Sequence, residues 1–125
     1  MKFQSHSIRA FIGAKNYEQS RSFYRELGFE EIEIDKKMCL FKVNEKLAFY
    51  LQDAYVRDWV DNSMLFLEVD NLESCLLELS SKNLDKKYKL VRFSNIKTLD
   101  WGKEFFMHDP SGVLWHFGKF NNKLL

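Results

Sequence analysis

Apolar positions along this chain change period twice, in the same order each time. Around Arg9–Gly13 they alternate, as on a strand with one buried face. From Asn16 onward they fall on one stripe, Ser20, Phe23, Tyr24 and Leu27, at helical spacing. Gly28 follows where a helix is stopped by a left-handed residue. Three runs that read as strands come next: Glu30–Ile34, Met38–Val43 and Leu47–Gln52. The chain then starts over. Met64–Cys75 overlays on Arg9–Ser20 at an offset of 55 residues, placing Phe66 on Phe11, Leu67 on Ile12, Asn71 on Asn16 and Glu73 on Glu18. Asn16 with Gln19, and Asp70 with Glu73, are spaced as capping boxes that satisfy backbone donors at a helix start. A second stripe (Leu72, Cys75, Leu76, Leu79) leads into strands at Lys89–Phe93, Lys103–His108 and Val113–Phe117. Asp109-Pro110-Ser111-Gly112 supplies the turn between the last two.

This is an α+β pattern of two tandem βαβββ modules, about 5–53 and about 62–120. No Gly/Ser/Pro-rich linker separates them, so the expectation is a single domain over 1–125. Strand alternation assigns the faces. Leu65, Leu67 and Val69 go beneath a helix, leaving Met64, Phe66 and Glu68 opposite; Ala10 and Ile12 are expected to go under likewise, leaving Arg9, Phe11 and Gly13. Leu47, Phe49 and Leu51 oppose Ala48, Tyr50 and Gln52, and Val113, Trp115 and Phe117 oppose Leu114 and His116. The mixed faces are expected to line a cleft.

Composition sharpens this. With 46% hydrophobic and 30% charged residues the chain can build a core, which sets it apart from disordered sequences. A net charge of +1 gives no field to recruit nucleic acid or an acidic membrane, so neither is expected as a partner. Twelve Phe, five Tyr and three Trp suit both sheets and a pocket that stacks flat ligands. Met1–Ala10 holds no apolar run of the kind found in signal peptides, and two cysteines without CxxC spacing suit reduced thiols, so a cytoplasmic location is expected. No zinc knuckle, P-loop or GxGxxG is present. Cys39 and Cys75 lack a His nearby in sequence, so no nucleophile–base arrangement stands out.

Ser22-Phe23-Tyr24 with Leu27-Gly28-Phe29, and Trp101-Gly102-Lys103-Glu104-Phe105 followed by His108-Asp109-Pro110-Ser111-Gly112 and His116-Phe117, carry a resemblance. The chain resembles the vicinal oxygen chelate superfamily of glyoxalases, extradiol dioxygenases and bleomycin resistance proteins, and the last of these in particular. The resemblance implies curved mixed sheets around a cleft. Enzymes of the superfamily hold a divalent metal at four cleft-facing strand positions. Carried over, these fall on Arg9, on Tyr50 or Gln52, on Met64 and on His116. A metal requires carboxylates or neutral imidazoles at these positions, and here one His stands with a cation, a thioether and an aromatic or amide, so no metal or other cofactor is expected. A relocated site built from Glu68, Glu104 and His108 is the remaining option.

The resemblance therefore implies a metal-free, non-catalytic homodimer that sequesters a small aromatic molecule, a bleomycin-type drug or another aromatic compound, between subunits. Its candidate ligand-binding residues are Arg9, Met38, Tyr50, Phe66, Glu68, Trp101, Gly102, Glu104 and His116. Trp101 would stack, Gly102 would let backbone approach the ligand, and Glu68 and Glu104 would supply negative charge. One departure stands out. The resistance proteins carry acids in the hairpin between the second and third strands, whereas this chain reads Asp35-Lys36-Lys37, which makes a neutral or anionic aromatic ligand as plausible as bleomycin. The alternative reading is a metal-dependent lyase, isomerase or dioxygenase with atypical ligands; a third is an interaction subunit with a collapsed cleft.

Overall fold

A computed structural model describes residues 2–121. The first half runs β1 (Phe11–Gly13), α1 (Tyr17–Leu27), β2 (Glu30–Asp35), β3 (Met38–Lys42) and β4 (Ala48–Gln52). A short helix, α2 (Arg57–Asp61), leads to β5 (Met64–Glu68), α3 (Leu72–Ser81), α4 (Leu84–Lys87), β6 (Arg92–Phe93), β7 (Lys97–Leu99), β8 (Gly102–His108) and β9 (Leu114–Phe120). Two sheets result. The first has the order β1-β4-β3-β2, the second β5-β9-β8-β6 with β7 also on β8. In each, the opening strand lies parallel to the last strand of its half and the other pairings are antiparallel. The repeated sequence has folded into a repeated topology.

The helix starts match closely. Asn16 accepts a hydrogen bond from the Gln19 amide and Asn71 accepts one from the Ser74 amide, from nearly identical backbone angles. The second cap is thus Asn71, the residue the 55-residue offset places on Asn16, and not Asp70; Glu73 turns instead to Lys103. Helix α1 ends as its spacing predicts. Gly28 takes φ 106°, its amide bonds the Arg25 carbonyl and the Phe29 amide bonds that of Tyr24, closing a Schellman turn.

The strand expected at Lys89–Phe93 shrinks to Arg92–Phe93. Leu84, Tyr88 and Val91, all buried, are spaced for a helical approach, and α4 with the turn after it takes up the preceding residues.

Inner faces of both sheets share one core: Ile12, Phe41, Phe49 and Leu51 from the first, Phe105, Met107, Trp115 and Phe117 from the second. Helix α1 lies at its centre. The Tyr24 hydroxyl donates to Asp109 Oδ2 at 2.7 Å and accepts from the Trp115 indole at 2.9 Å, while Ser20 and the Lys15 amide bond Ser111. Asp109 Oδ1 takes the amides of Ser111 and Val113. The Asp-Pro-Ser-Gly turn of the second half is therefore buried against the helix of the first. Among the described residues no buried side-chain nitrogen or oxygen lacks a partner, so the polar interior is fully satisfied. No helix among them is long and apolar enough to cross a membrane.

Candidate functional site

Alternation along β5, β8 and β9 leaves a second set of side chains on the outer face of the second sheet. Cross-strand register sets them in rows. Phe66 stands beside His116, which stands beside Phe106; Glu68 lies beside Gly118, and Gly118 beside Glu104. At the near edge Phe120 is level with Gly102, the residue after Trp101. The rings of Phe66, Trp101 and Phe120 form a triangle with centroids 5.0 to 5.9 Å apart. The His116 imidazole lies roughly parallel to Phe66 at 6.3 Å and edge-on to Phe106 at 5.0 Å.

Two glycines fit this face together. A Cβ on Gly118 would collide with the Phe66 ring, so the missing side chain lets the ring lie across β9. A Cβ on Gly102 would strike the Lys119 carbonyl. Gly102 therefore allows close strand contact within the sheet, its bare side facing backbone of the same chain.

The polar centre is a pair. His116 Nδ1 and Glu104 Oε1 are 3.0 Å apart, with both side chains largely shielded. A carboxylate accepts, so the ring hydrogen sits on Nδ1 and leaves Nε2 as the imidazole's other polar atom. The neighbouring lysines leave Glu104 to His116: Lys103 reaches across to Glu73 and Lys97 lies over the Phe106 ring at 5.7 Å. Glu68 is exposed and makes no ion pair among the described residues. His108 sits four residues from Glu104, beside Arg92 at 3.4 Å; burial first, and then that guanidinium, push its pKa down.

The nine candidate residues divide between the sheets. Phe66, Glu68, Trp101, Gly102, Glu104 and His116 belong to the second. Tyr50 and Met38 lie on the first, with Arg9 just ahead of β1. There Arg9 donates to the Tyr50 hydroxyl at 3.2 Å, and Tyr50 stacks on Phe11 with centroids 4.7 Å apart. Met38 pairs with Gln52 at the far end of β3. Phe106 and Phe120 were not among the candidates, although the alternation Glu104-Phe106-His108 and His116-Gly118-Phe120 puts them on this face.

The metal positions of the superfamily can now be tested on this chain's donors. Arg9 brings a fixed positive charge, already directed at Tyr50, the nearer of the two second-position candidates. Met64 is level with Leu114 rather than with His116, and His116 is held by Glu104. Among the described residues no three His, Cys, Asp or Glu side chains stand together as a metal-holding group, the relocated trio of Glu68, Glu104 and His108 included. The residues present do not fit a divalent ion. As for nucleophiles, burial pushes the Cys39 thiol up to about 11 and raises that of Cys75 as well, which keeps both protonated at neutral pH.

No family model and no curated protein matches the chain. Solved structures do. A bleomycin-binding protein complexed with bleomycin superposes with a TM-score of 0.78 at 16% identity, over 95% of this chain and 100% of that one. A bleomycin resistance determinant encoded on the transposon Tn5 gives 0.78 at 14% identity, over 94% and 100%. Lactoylglutathione lyase from Agrobacterium tumefaciens gives 0.67 at 14% identity, over 94% and 96%. At such identities the likeness is one of fold. The chain has the glyoxalase/bleomycin resistance fold.

Proposed function

We propose that this protein captures, without chemically altering it, a small flat aromatic molecule on the outer face of its second sheet, and that a second copy of the chain closes the cleft. One observation carries the reading. Phe66 and Trp101 stay partly exposed beside Phe120, around a fixed His–Glu pair, while the core is complete without them. Exposed aromatics grouped around a few oriented polar atoms are what a binding site for a planar ligand requires. Trp101 and Phe66 supply stacking surface, and His116 Nε2 with Glu104 would orient a polar substituent.

The support is both chemical and comparative. Among the described residues this face presents no group of three metal-ligating side chains, and the fold recurs in proteins described as binding bleomycin. The division of the nine candidates between two sheets fits a cleft walled by two chains, with Arg9, Met38 and Tyr50 on the wall facing Trp101. The Asp35-Lys36-Lys37 hairpin and Arg9 favour a neutral or anionic aromatic ligand over a cationic drug.

Titration with bleomycin and a panel of aromatic carboxylic acids, read by tryptophan fluorescence and calorimetry, tests the reading. A panel member should bind, and Trp101→Ala should weaken it about tenfold, the loss of one stacking partner. Silence across the panel overturns capture. Stoichiometric transition metal that is lost on His116→Ala would replace it with a metal-dependent lyase, isomerase or dioxygenase. A monomer in sedimentation at micromolar concentration would remove the two-chain cleft.

A further inference from the structure

Between the segment that precedes β1 and strand β5 the surface opens into a groove of about 310 Å³. The segment Ser7–Arg9 forms one side, the start of β4 another, and Leu65, Phe66 and Leu67 of β5 a third, with Trp115 also lining it. This is a different place from the outer face of the second sheet, with which it shares Phe66.

Its chemistry is divided. The apolar walls are Leu65, Leu67, Phe49 and the Trp115 ring, whose only donor is already spent on Tyr24. Two exposed cations, Arg9 and Lys46, stand on its border, and no lining residue is acidic. Neither cation forms an ion pair with any described carboxylate; Arg9 bonds only the neutral Tyr50 hydroxyl. An apolar hollow bordered by uncompensated positive charge rejects a cation, gains little from a neutral polar molecule, and is complementary to an amphiphilic anion.

We infer that this groove is a binding site for a small monocarboxylate with an aryl or alkyl body, the carboxylate held by Arg9 and Lys46 and the body laid on Leu65, Leu67 and Trp115. A guanidinium and an ammonium can grip one carboxylate from two sides, and the low-dielectric walls strengthen both contacts. Its volume lies at the lower end of the range for small-molecule sites, so a single ring or a short chain fits and a large glycopeptide does not.

The test uses three ringless probes of equal shape, heptanoate, heptanamide and heptylamine, which cannot stack on Trp101, titrated into the full chain by calorimetry. The acid should bind, the amide about tenfold more weakly and the amine not detectably. Lys46→Gln, a change at an exposed position, should weaken the acid severalfold and leave the amide unchanged. Ala48→Phe should fill the groove and abolish binding of the acid, while Trp101→Ala should leave it intact; circular dichroism checks that each variant is folded. Equal binding of acid and amide overturns the inference, as does an acid that does not bind. Loss of the acid on Trp101→Ala with retention in Ala48→Phe would place the ligand on the aromatic face instead. That result would sink the groove while sustaining the proposed function.

Discussion

The two sheets of this protein share an order, a strand polarity and a helix cap, yet their helices have unequal jobs. Helix α1 is at the centre of the molecule, with Phe23 and Tyr24 fully buried and Tyr24 bonded across to Asp109 and Trp115. Helix α3 begins from an equivalent Asn cap but buries only Leu72 and Leu79, and its Leu77 faces solvent. The outer faces diverge as well. The first sheet shows Arg9, Phe11 and Tyr50; the second shows an aromatic triangle and a His–Glu pair. Repetition therefore governs the backbone and the caps, while burial and ligand chemistry are assigned separately to each half.

The largest effect that would sharpen this contrast comes from Tyr24. Tyr24→Ala should cost about 3–5 kcal/mol, the usual range for emptying a buried aromatic site, whereas Leu76→Ala on the half-buried flank of α3 should cost about 1 kcal/mol. Chemical denaturation measures both, and equal losses would break the asymmetry.

Asp109 gives the next effect, through pH. Burial above all raises its pKa to about 6 from an ordinary 3.8, against the opposing pull of Tyr24 and the turn amides. A carboxyl raised on folding favours the protonated form. Its contribution is complete below about pH 4 and is lost as pH climbs through 6, roughly 2–3 kcal/mol over that interval. Asp109→Asn should flatten that part of the profile. Glu31 works in the opposite sense: burial alone would raise its pKa, but Arg21 and Arg25 outweigh that and lower it, so its stabilisation fades in acid. The difference between wild type and Asp109→Asn isolates Asp109, and a difference independent of pH from 4 to 7 would contradict the assignment.

The smallest effect tests what the halves share. Asn16→Ala and Asn71→Ala should each cost about 1 kcal/mol, the worth of a side-chain N-cap, and should agree to within a few tenths in denaturation midpoints corrected for slope. A clear excess at Asn16 would show that even the caps have taken on unequal roles.

Much of this architecture could be read from residues alone. The Leu27-Gly28-Phe29 exit, the echo of Phe11–Glu18 in Phe66–Glu73 and the Asp109–Gly112 turn each have a local physical cause, and each sits where that cause puts it. What escaped reading was set by neighbours distant in sequence. Helix α2 is anchored by Val60 in the core, and α4 by Leu84 and Tyr88; neither segment is long enough to display a period of its own. The choice of Asn71 over Asp70 was visible only through the repeat. At the candidate site the members were legible but their grouping was not. Alternation tells which face a side chain takes within one sheet, not how two sheets share the candidates, and only continuing it past Phe117 to Phe120 would have completed the aromatic cluster.

The burial of the Asp109–Gly112 turn beneath α1 has a consequence for any attempt to cut the chain between its halves. Were the halves to be expressed apart, Tyr24 would lose its acceptor and Trp115 its partner, stranding polar atoms on both severed surfaces. Five side chains, Ser20, Tyr24, Asp109, Ser111 and Trp115, weld that seam by hydrogen bonds.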